Sequence, residues 1–370
     1  MAIEAVSNSQ RPRILIVRLS AIGDVIHTLP LLCALREKFP AAMLTWVVES
    51  RAAELLEGHA ALDELIALPR GWLKSPATVW RLRRRLRTMR FDLAIDAQGL
   101  SKSAVAAWLS GTRRRIGFGR PWGRELSRWL NTELVDTSKD HAVDRHLELL
   151  RPLGIESPAV RFDIPEHEQD RAAAEQIIHR CGVEQGFGIV APGAGWPSKR
   201  WPADRYAAVA GHLGRNRSLP MLVIWGNPQE RACAEQIAAG SGRAAQVAPA
   251  MTLRQLAALA RRARLLLGSD SGPLHLAAAV ATPCVGLYGP WSAEKHGPYG
   301  PQHVTVQKMI CEGSTRQKRH ASPKYMEAID VPSVCEACDQ ILRRGEGGAE
   351  TRVQGSGFRV QGSEFGVQEP

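Results

Sequence analysis

One turn in the second half of the sequence has residue types and spacing that suit phosphate binding. The turn Asp270–Gly272 follows the apolar run Leu265–Leu267, and Pro273 comes directly after it. Such a run predicts a buried parallel strand, and Pro273 can start a helix because its missing N–H would be unpaired there anyway. Ser271 or Gly272 can cap that helix, whose free N–H groups favour anions. The pattern predicts a phosphate-binding strand, turn and helix; a βαβ crossover without a ligand is the alternative.

Two further side chains can reach the same ligand. His275 lies four residues beyond Ser271 and therefore faces the same side of the predicted helix. Lys199 lies in the loop after the predicted strand Phe187–Pro192 and supplies a point charge that suits a diphosphate. That loop lacks the G-x-x-x-x-G-K-[ST] frame, so it is not a Walker A loop. For His275 the alternative is a partly buried side chain that caps local backbone.

A carboxylate in the first half can accept a proton. Asp24 ends the turn Leu19–Asp24, which follows the first predicted strand. A carboxylate at that point can take the proton of a hydroxyl nucleophile. The alternative is helix capping, because acidic residues are favoured at helix N-termini. The helix dipole also lowers the pKa of Asp24, so a role as base requires a neighbouring group or bound substrate to offset that effect.

Composition limits the partners and the compartment. The 370 residues include 48 Lys and Arg against 37 Asp and Glu, a formal net charge of +11. This balance favours an acidic partner: nucleic acid, an anionic membrane surface or a phosphorylated substrate. The N-terminal segment lacks the apolar run of a signal peptide, and no stretch approaches the roughly 20 apolar residues that span a bilayer. We therefore expect a cytoplasmic protein.

The seven cysteines favour reduced thiols. Their number is odd and their spacing is scattered. Cys335 and Cys338 form a C-x-x-C within the helical pattern Val331–Leu342. No second pair or His doublet lies at zinc-site spacing, so a metal or redox site is weakly indicated. We expect neither a metal nor a cofactor.

Strands and helices alternate along the first half. The strand Arg13–Arg18, the helix Val25–Phe39 and the strand Leu44–Glu49 begin a doubly wound parallel sheet. The turn after the first strand lacks G-x-G-x-x-G, which argues against a dinucleotide-binding dehydrogenase. Further strands are expected at Leu62–Leu68 and Leu93–Asp96, and further helices at Trp80–Arg90, Ala104–Leu109 and His141–Leu150.

The same alternation repeats after a stretch at Pro152–Pro165 that is richer in Pro and Gly. We expect an N-terminal Rossmann-like domain at residues 12–160, a C-terminal one at 161–345 and a disordered tail at 346–370, whose Gly, Gln and Ser repeat cannot form a core. Each sheet would present its strand ends to a cleft between the domains. Strands are expected at Phe187–Pro192, Pro220–Trp225, Leu265–Leu267 and Cys284–Tyr288, and helices at Gln169–Cys181, Tyr206–Leu213, Gln229–Ala239, Leu253–Arg262 and Val331–Arg344.

Two segments of the first half are rich in arginine. Arg81–Arg90 and Arg113–Arg115 are strongly basic, and Leu82 and Leu86 are spaced four apart in the first. The first segment is a helix with a solvated basic face or a surface that faces an anion.

Several blocks together resemble the ADP-heptose:lipopolysaccharide heptosyltransferases. They are Ser20–Pro30, Lys199–Pro202 and Asp270–Leu276, and the resemblance extends over roughly Arg13–Leu342. Three further blocks look like the heptosyltransferase I branch, which adds the first heptose: Trp46–Glu49, Asp96–Ala104 and His141–Arg145.

The resemblance implies a GT-B glycosyltransferase fold with no metal requirement. It implies inverting transfer of a heptose from ADP-L-glycero-D-manno-heptose to the Kdo sugar of lipid A, in synthesis of the lipopolysaccharide inner core. The implied place of action is the cytoplasmic face of the inner membrane, as a peripheral protein that meets an anionic surface. Alternatives are a heptosyltransferase II-like or other GT-B sugar-nucleotide enzyme, an epimerase of similar fold, a non-catalytic sugar-binding relative and, from charge alone, a nucleic-acid-binding protein.

The resemblance also implies residue roles. Asp24 corresponds to the general base, and Lys199 neutralises the donor phosphates. The family often carries hydroxyl residues before the lysine, where this sequence has Ala194 and Gly195. The expected donor-binding residues are Ala194, Gly195, Lys199, Glu230, Met251, Asp270, Ser271, Gly272 and His275. The expected acceptor-binding residues are Ser20, Gly23, Lys102, Arg113 and Arg145.

Overall fold

The computed structural model of the protein describes residues 11–347 and contains two six-stranded parallel sheets. The first sheet consists of β1 (Arg13–Val17), β2 (Met43–Glu49), β3 (Glu64–Leu68), β4 (Leu93–Asp96), β5 (Arg114–Phe118) and β6 (Glu133–Val135). The second consists of β7 (Gly188–Ala191), β8 (Met221–Val223), β9 (Ala245–Val247), β10 (Leu265–Ser269), β11 (Cys284–Tyr288) and β12 (Val304–Gln307).

Helices connect the strands in both halves. Those of the first half are α1 (Ile22–Lys38), α2 (Ser50–Ala53), α3 (Pro76–Met89), α4 (Ser101–Leu109), α5 (Ser127–Leu130) and α6 (Ala142–Glu148). Those that follow are α7 (Glu168–Cys181), α8 (Ala203–Arg217), α9 (Pro228–Gly240), α10 (Leu253–Ala260), α11 (Gly272–Ala279), α12 (Ala293–His296), α13 (Thr315–Arg319), α14 (Lys324–Glu327) and α15 (Val331–Gly347). Short 3₁₀ turns occupy Trp72–Lys74, Arg151–Leu153 and Pro197–Lys199.

The two sheets have the same topology. The strand order is β3-β2-β1-β4-β5-β6 in the first sheet and β9-β8-β7-β10-β11-β12 in the second. Counted from its own first strand, each sheet therefore reads 3-2-1-4-5-6, the doubly wound order in which helices cover both faces. The predicted pair of doubly wound parallel sheets is confirmed.

The central strands are apolar because helices cover both of their faces. Residues 14–17 of β1 and all of β10 are buried. Strands buried on both sides read as continuous apolar runs, and this is why sequence alone located β1 and β10.

Helix α1 is buried along most of its length. All residues from Val25 to Leu35 are buried, including Pro30. The helix packs against α6 of its own half and against α11 of the other half. Because α1 has neighbours on several sides, it has no wide solvated face, and its N-terminus is fixed relative to that of α11.

Four strands lie outside the predictions: β5, β6, β9 and β12. They are three to five residues long and lie at or next to the sheet edges. Strand β5 begins with Arg114 and Arg115, and these two charged residues interrupt the apolar pattern that would predict a strand. Unlike the equally short β8, these four segments contain polar residues, so no continuous apolar run marks them in the sequence.

The basic segment at Trp80–Arg90 is the helix α3, which begins four residues earlier than predicted. Ser75 caps it by accepting from the Thr78 N–H at 3.3 Å. Leu82 and Leu86 are buried, whereas the arginines of the helix lie on its accessible sides.

The C-x-x-C lies in α15, where Cys338 is buried in the core. Among the described residues, no cluster of three or more His, Cys, Asp or Glu side chains could hold a metal ion. Within the same part of the chain, no helix is long and apolar enough to cross a membrane. The predicted disordered tail at 346–370 lies, apart from its first two residues, outside the described residues.

Candidate active site

The candidate site lies where the two sheets change strand order. Ligands of open α/β sheets bind beyond the carboxyl ends of the strands at such a switch point. These points lie between β1 and β4 in the first sheet and between β7 and β10 in the second. Asp24 follows β1, Lys199 follows β7 and Asp270 follows β10. The two switch points meet because α1 and α11, which begin beside them, pack together.

Asp24 lies in the first turn of α1, with 41% of its side chain accessible. One oxygen pairs with the Arg18 guanidinium at 2.8 Å, and the other accepts from the Ala21 N–H at 3.0 Å. Partial burial raises the pKa of Asp24, but Arg18 and the Ala21 amide lower it by more, so the net pKa lies below its usual value. The carboxylate is therefore ionised at neutral pH and remains accessible to an approaching hydroxyl.

Basic side chains surround Asp24 on the first half. Arg18 lies 3.4 Å from the Nε2 atom of His146. Burial lowers the pKa of His146 well below its usual value, and the Arg18 charge lowers it further, so this imidazole is neutral. The Arg145 guanidinium lies 3.5 Å from the centroid of the Trp122 ring, and burial lowers its pKa to about 10. At neutral pH two guanidinium cations therefore act on the carboxylate.

On the second half, Asp270 joins two of the predicted donor-binding residues. Lys199 ends a 3₁₀ turn and forms a close ion pair with one oxygen of Asp270. The other oxygen lies 3.2 Å from Nε2 of His275. Burial raises the pKa of Asp270, but Lys199 and His275 lower it by more, so the net pKa is well below its usual value. An ionised carboxylate thus holds the lysine and the imidazole in position.

His27 connects this group to the first half. Its Nε2 lies 3.1 Å from Nδ1 of His275, and the two rings meet edge to face. Burial lowers the pKa of His27 well below its usual value, with a further contribution from His275, so His27 is neutral. A Cβ on Gly23 would lie 2.7 Å from Cδ2 of His275, so this close approach requires glycine. His27, His275, Asp270 and Lys199 form one continuous network across the junction.

His296, at the end of α12, is close enough to interact electrostatically with the carboxylates of Asp24 and Asp270. Burial lowers its pKa to about 4, while Asp270 and Asp24 act in the opposite direction. The side chain is therefore neutral at pH 7 and lies near both Asp24 and Asp270.

Three buried polar atoms near Lys199 have no hydrogen-bond partner among residues 11–345. They are Nε1 of Trp291 and the hydroxyls of Ser198 and Ser271. The Lys199 ammonium lies 4.6 Å from the centroid of the Trp291 ring. Ser271 holds the N-cap position of α11, yet its side chain makes no capping bond. Buried polar groups are normally paired, so these three atoms are donors that an anion could satisfy.

The other predicted donor residues lie beyond the ends of β7, β8 and β9, in loops or in the first turn of a helix. Glu230 is in the first turn of α9, and its carboxyl carbon would lie 2.6 Å from a Cβ on Gly193. Ala194 is buried, whereas Gly195 is exposed and has no atom within 4 Å of an added Cβ. Met251 is half-buried and packs against the core. A side chain could therefore be added at position 195, whereas one larger than alanine would meet buried surroundings at position 194.

Two predicted acceptor residues lie together in the first half. The Lys102 ammonium donates to the Ser20 hydroxyl at 2.7 Å and pairs with Glu49 at 2.8 Å. Ser20 belongs to the same loop as Asp24. Arg145 is also close enough for its charge to interact with that of Asp24. The structure therefore brings Ser20, Lys102 and Arg145 to the side of the site that carries Asp24.

The structure does not bring Arg113 to this site. Arg113 immediately precedes β5, and the start of a parallel strand lies at the sheet edge opposite to the carboxyl ends. Gly23 is at the site, but it faces His275 of the other half. Gly272 makes a similar approach, since its added Cβ would lie 2.9 Å from Ile22.

The sequence analysis did not identify five residues of the site: Arg18, His27, His146, Trp291 and His296. His27 had a usable signal, because it follows Asp24 by three residues and so shares a face of the predicted helix. The others are single residues in loops or on distant elements, and only the tertiary fold assembles them.

Known proteins resemble this chain along most of its length. A family model described as glycosyltransferase family 9 (heptosyltransferase) matches residues 79–326. Lipopolysaccharide heptosyltransferase 1 of Salmonella typhimurium is 31% identical over 304 residues, which cover 79% of this chain and 93% of that protein. The protein of the same name from Escherichia coli K12 is 29% identical over 311 residues, covering 81% and 93%.

Solved structures share the whole architecture. The glycosyl transferase family 9 protein of Veillonella parvula has a TM-score of 0.78 at 25% identity, with 90% of this chain and 98% of that chain covered. The structure of E. coli heptosyltransferase WaaC with ADP has a TM-score of 0.70 at 26% identity, covering 90% and 99%. The predicted GT-B fold is confirmed.

Proposed function

The chain belongs to the glycosyltransferase family 9 heptosyltransferases, and from that premise we propose that it transfers a heptose from ADP-L-glycero-D-manno-heptose to the Kdo sugar of lipid A. One observation carries the proposal: the ionised Asp24 on one half adjoins the His275, Asp270 and Lys199 group of the other half. An inverting transfer needs a proton acceptor and a stabiliser of the leaving charge on opposite sides of one carbon. The relatives named lipopolysaccharide heptosyltransferase 1 support heptose transfer in lipopolysaccharide synthesis.

The second half binds the donor diphosphate in this proposal. Lys199 supplies a positive charge, and the N–H groups at the start of α11 supply aligned donors. The unpartnered hydroxyls of Ser198 and Ser271 and the indole N–H of Trp291 add donors at the same place. Asp270 keeps Lys199 and His275 oriented, and Glu230 and Met251 lie on the nucleoside side. Charge that develops on ADP as the glycosidic bond breaks is stabilised by groups already in position.

The first half supplies the proton acceptor. The acceptor oxygen forms a bond to the anomeric carbon while the bond from that carbon to the phosphate oxygen of ADP breaks on the opposite face. The hydroxyl proton passes to a carboxylate oxygen of Asp24, and the electron pair of the broken bond leaves on ADP. Since the pKa of Asp24 is lowered, it accepts the proton late, when the attacking oxygen has become acidic.

The cations around Asp24 suit an anionic acceptor. Arg18, Lys102 and Arg145 place positive charge near the carboxylate. The carboxylate of Kdo can interact with them, and bidentate contact favours arginine. Because lipid A is a membrane lipid, we propose that the protein acts as a peripheral protein at the cytoplasmic face of the inner membrane.

Mass spectrometry of the product tests the proposal directly. The protein is incubated with ADP-heptose and either Kdo-bearing lipid A or the same acceptor already carrying one heptose. A gain of one heptose on the first acceptor is the expected result. Transfer only to the second would assign a later step of core assembly, and activity only with another sugar nucleotide would overturn the donor assignment.

A further inference from the structure

Three strongly exposed indoles lie on consecutive helices of the first half. Trp80 on α3 is 60% exposed, Trp108 on α4 is 47% exposed and Trp129 on α5 is 81% exposed. Leu126, directly before α5, is 56% exposed. Large apolar side chains grouped on a surface mark an interaction site more often than scattered ones do.

These helices share one face of the first sheet. The connections β3-α3-β4, β4-α4-β5 and β5-α5-β6 all step across the sheet in the same direction. Crossovers between parallel strands are right-handed, so steps in one direction place their helices on one side. Helix α4 contacts both α3 and α5, so the three form a continuous layer. We call its outer side the aromatic–basic face.

The same face is positively charged. Helix α3 contains five arginines and no acidic residue, and the Arg84 guanidinium lies 5.5 Å from the Trp80 ring centroid. Arg87 packs against Gly111, which follows α4, so its charge lies close to Arg113. Among residues 11–345, Arg83, Arg84, Arg87 and Arg113 have no carboxylate at ion-pair distance. Their charge is therefore available to a partner.

We propose that the aromatic–basic face docks on an anionic lipid bilayer and holds the enzyme at the membrane that contains its acceptor. Indole rings settle at the level of lipid headgroups, and arginines are attracted to anionic lipids. The inference rests on the proposed function in one respect, that the acceptor is a membrane lipid. The basic charge alone would also suit nucleic acid, but the apolar leucine and indole surface favours a bilayer.

The face is continuous with the acceptor side of the site. Lys102, which is hydrogen-bonded to Ser20, is the second residue of α4, and Trp108 is its last but one. Trp108 lies six positions after Lys102, or about 9 Å along the helix axis. A lipid whose sugar reaches Asp24 can therefore keep its acyl chains in a bilayer that contacts this face.

Vesicle sedimentation of the full-length protein tests the proposal. The probes are vesicles of phosphatidylcholine with and without phosphatidylglycerol, which contain no sugar acceptor. The double variant Trp80→Ser/Trp129→Ser should lower the partition coefficient more than about tenfold, since each indole can bury on the order of 100 Å². The double variant Arg83→Gln/Arg84→Gln should lower it about 25-fold at low salt, at roughly fivefold per arginine, and only on anionic vesicles.

Matched variants on the second half serve as controls. Ile310→Ser removes an apolar side chain that is 47% exposed, and Arg180→Gln removes an exposed arginine of α7. Both should bind vesicles like the parent protein. Equal losses in the control and test variants would overturn the docking face, as would binding by the parent to a single-stranded oligonucleotide but not to vesicles.

The docking face and the proposed reaction can fail separately. Transfer to a Kdo acceptor freed of its acyl chains should be unchanged in the Trp80→Ser/Trp129→Ser variant, because the reacting groups are untouched. Normal transfer without vesicle binding by the parent protein would refute the docking face alone. Normal vesicle binding by the parent protein without any heptose transfer would support the docking face and refute the proposed reaction.

Discussion

Asp24 has surroundings that favour its ionised form. The Arg18 guanidinium and the Ala21 N–H both stabilise the carboxylate and lower its pKa against the effect of partial burial. In the proposed reaction, such a carboxylate is charged at neutral pH, yet it binds a proton weakly until the attacking oxygen becomes acidic. Lys199 and Asp270 form the corresponding group on the other half, where the ion pair keeps both side chains ionised in a largely buried position.

Asp24→Asn keeps the size of the side chain and removes the proton acceptor. We expect turnover to fall by about 10²–10⁴, the usual contribution of a general base. In the parent protein, turnover should stay level from pH 8 down to about 5 and fall only when Asp24 is protonated, below its ordinary pKa of about 4. Steady-state kinetics across this range measures both effects, with thermal melting as the control for folding. Near-normal turnover in the variant would remove the base assignment.

Lys199→Met should affect both catalysis and stability. Turnover should fall by roughly 10²–10³ through loss of charge stabilisation. The free energy of unfolding should fall by about 3 kcal/mol, because the buried Asp270 carboxylate loses its lysine partner.

The double variant Lys199→Met/Asp270→Asn separates these effects. It removes the unpaired charge, so chemical denaturation should show stability restored toward the parent value while turnover remains low. Recovery of turnover together with stability would mean that Lys199 acts only on the fold.

At the scale of elements, the packing of α1 against α11 sets the distance between Asp24 and the pair of Lys199 and Asp270. Each helix has a glycine at the contact: Gly23 faces His275, and Gly272 faces Ile22. Because neither position has a side chain, the N-termini of α1 and α11 can approach closely. The Nε2 atom of His27 then lies 3.1 Å from Nδ1 of His275.

Gly23→Ala tests this contact. In an ordinary helix the change would stabilise by about 1 kcal/mol. Here the new Cβ would lie 2.7 Å from the His275 ring, so the ring or the helix must move, at a cost of about 1–3 kcal/mol. We expect lower stability and a lower kcat/KM for transfer, measured by melting and by initial rates. Gly345→Ala in α15, where no atom lies within 4 Å of the added Cβ, should not lower stability; equal behaviour of the two variants would contradict the argument.

For the whole molecule, buried neutral histidines link stability to pH. Burial lowers the pKa of His27, His146, His296 and His303 below the usual 6.5, to about 4 for the last two. The unfolded chain binds protons at these residues near pH 6.5, whereas the folded chain resists them. Their contribution to stability is therefore complete above pH 6.5 and is lost as the pH falls toward 4.

His303→Asn should make the acid sensitivity smaller. Nδ1 of His303 accepts from the Cys284 N–H at 3.2 Å, and the Asn side chain retains an acceptor that does not titrate. The melting temperature of the parent protein should fall between pH 7.5 and 5, and the fall should be about 1–2 °C smaller in the variant. An identical pH dependence would show that His303 does not contribute to it.

The sequence by itself determined the two parallel sheets, because strands buried on both faces leave continuous apolar runs that alternate with helical periods. It also located Asp24, Lys199 and Asp270, since turns that follow central strands are where ligands of such sheets bind. It did not reveal the short edge strands β6, β9 and β12, in which polar residues interrupt the apolar run. Nor did it indicate the roles of Arg18, His27, His146, Trp291 and His296, or the position of Arg113 at the opposite sheet edge. Only the tertiary structure decided these, because contacts between residues far apart in the chain depend on how α1 and α11 pack, and no local pattern records that packing.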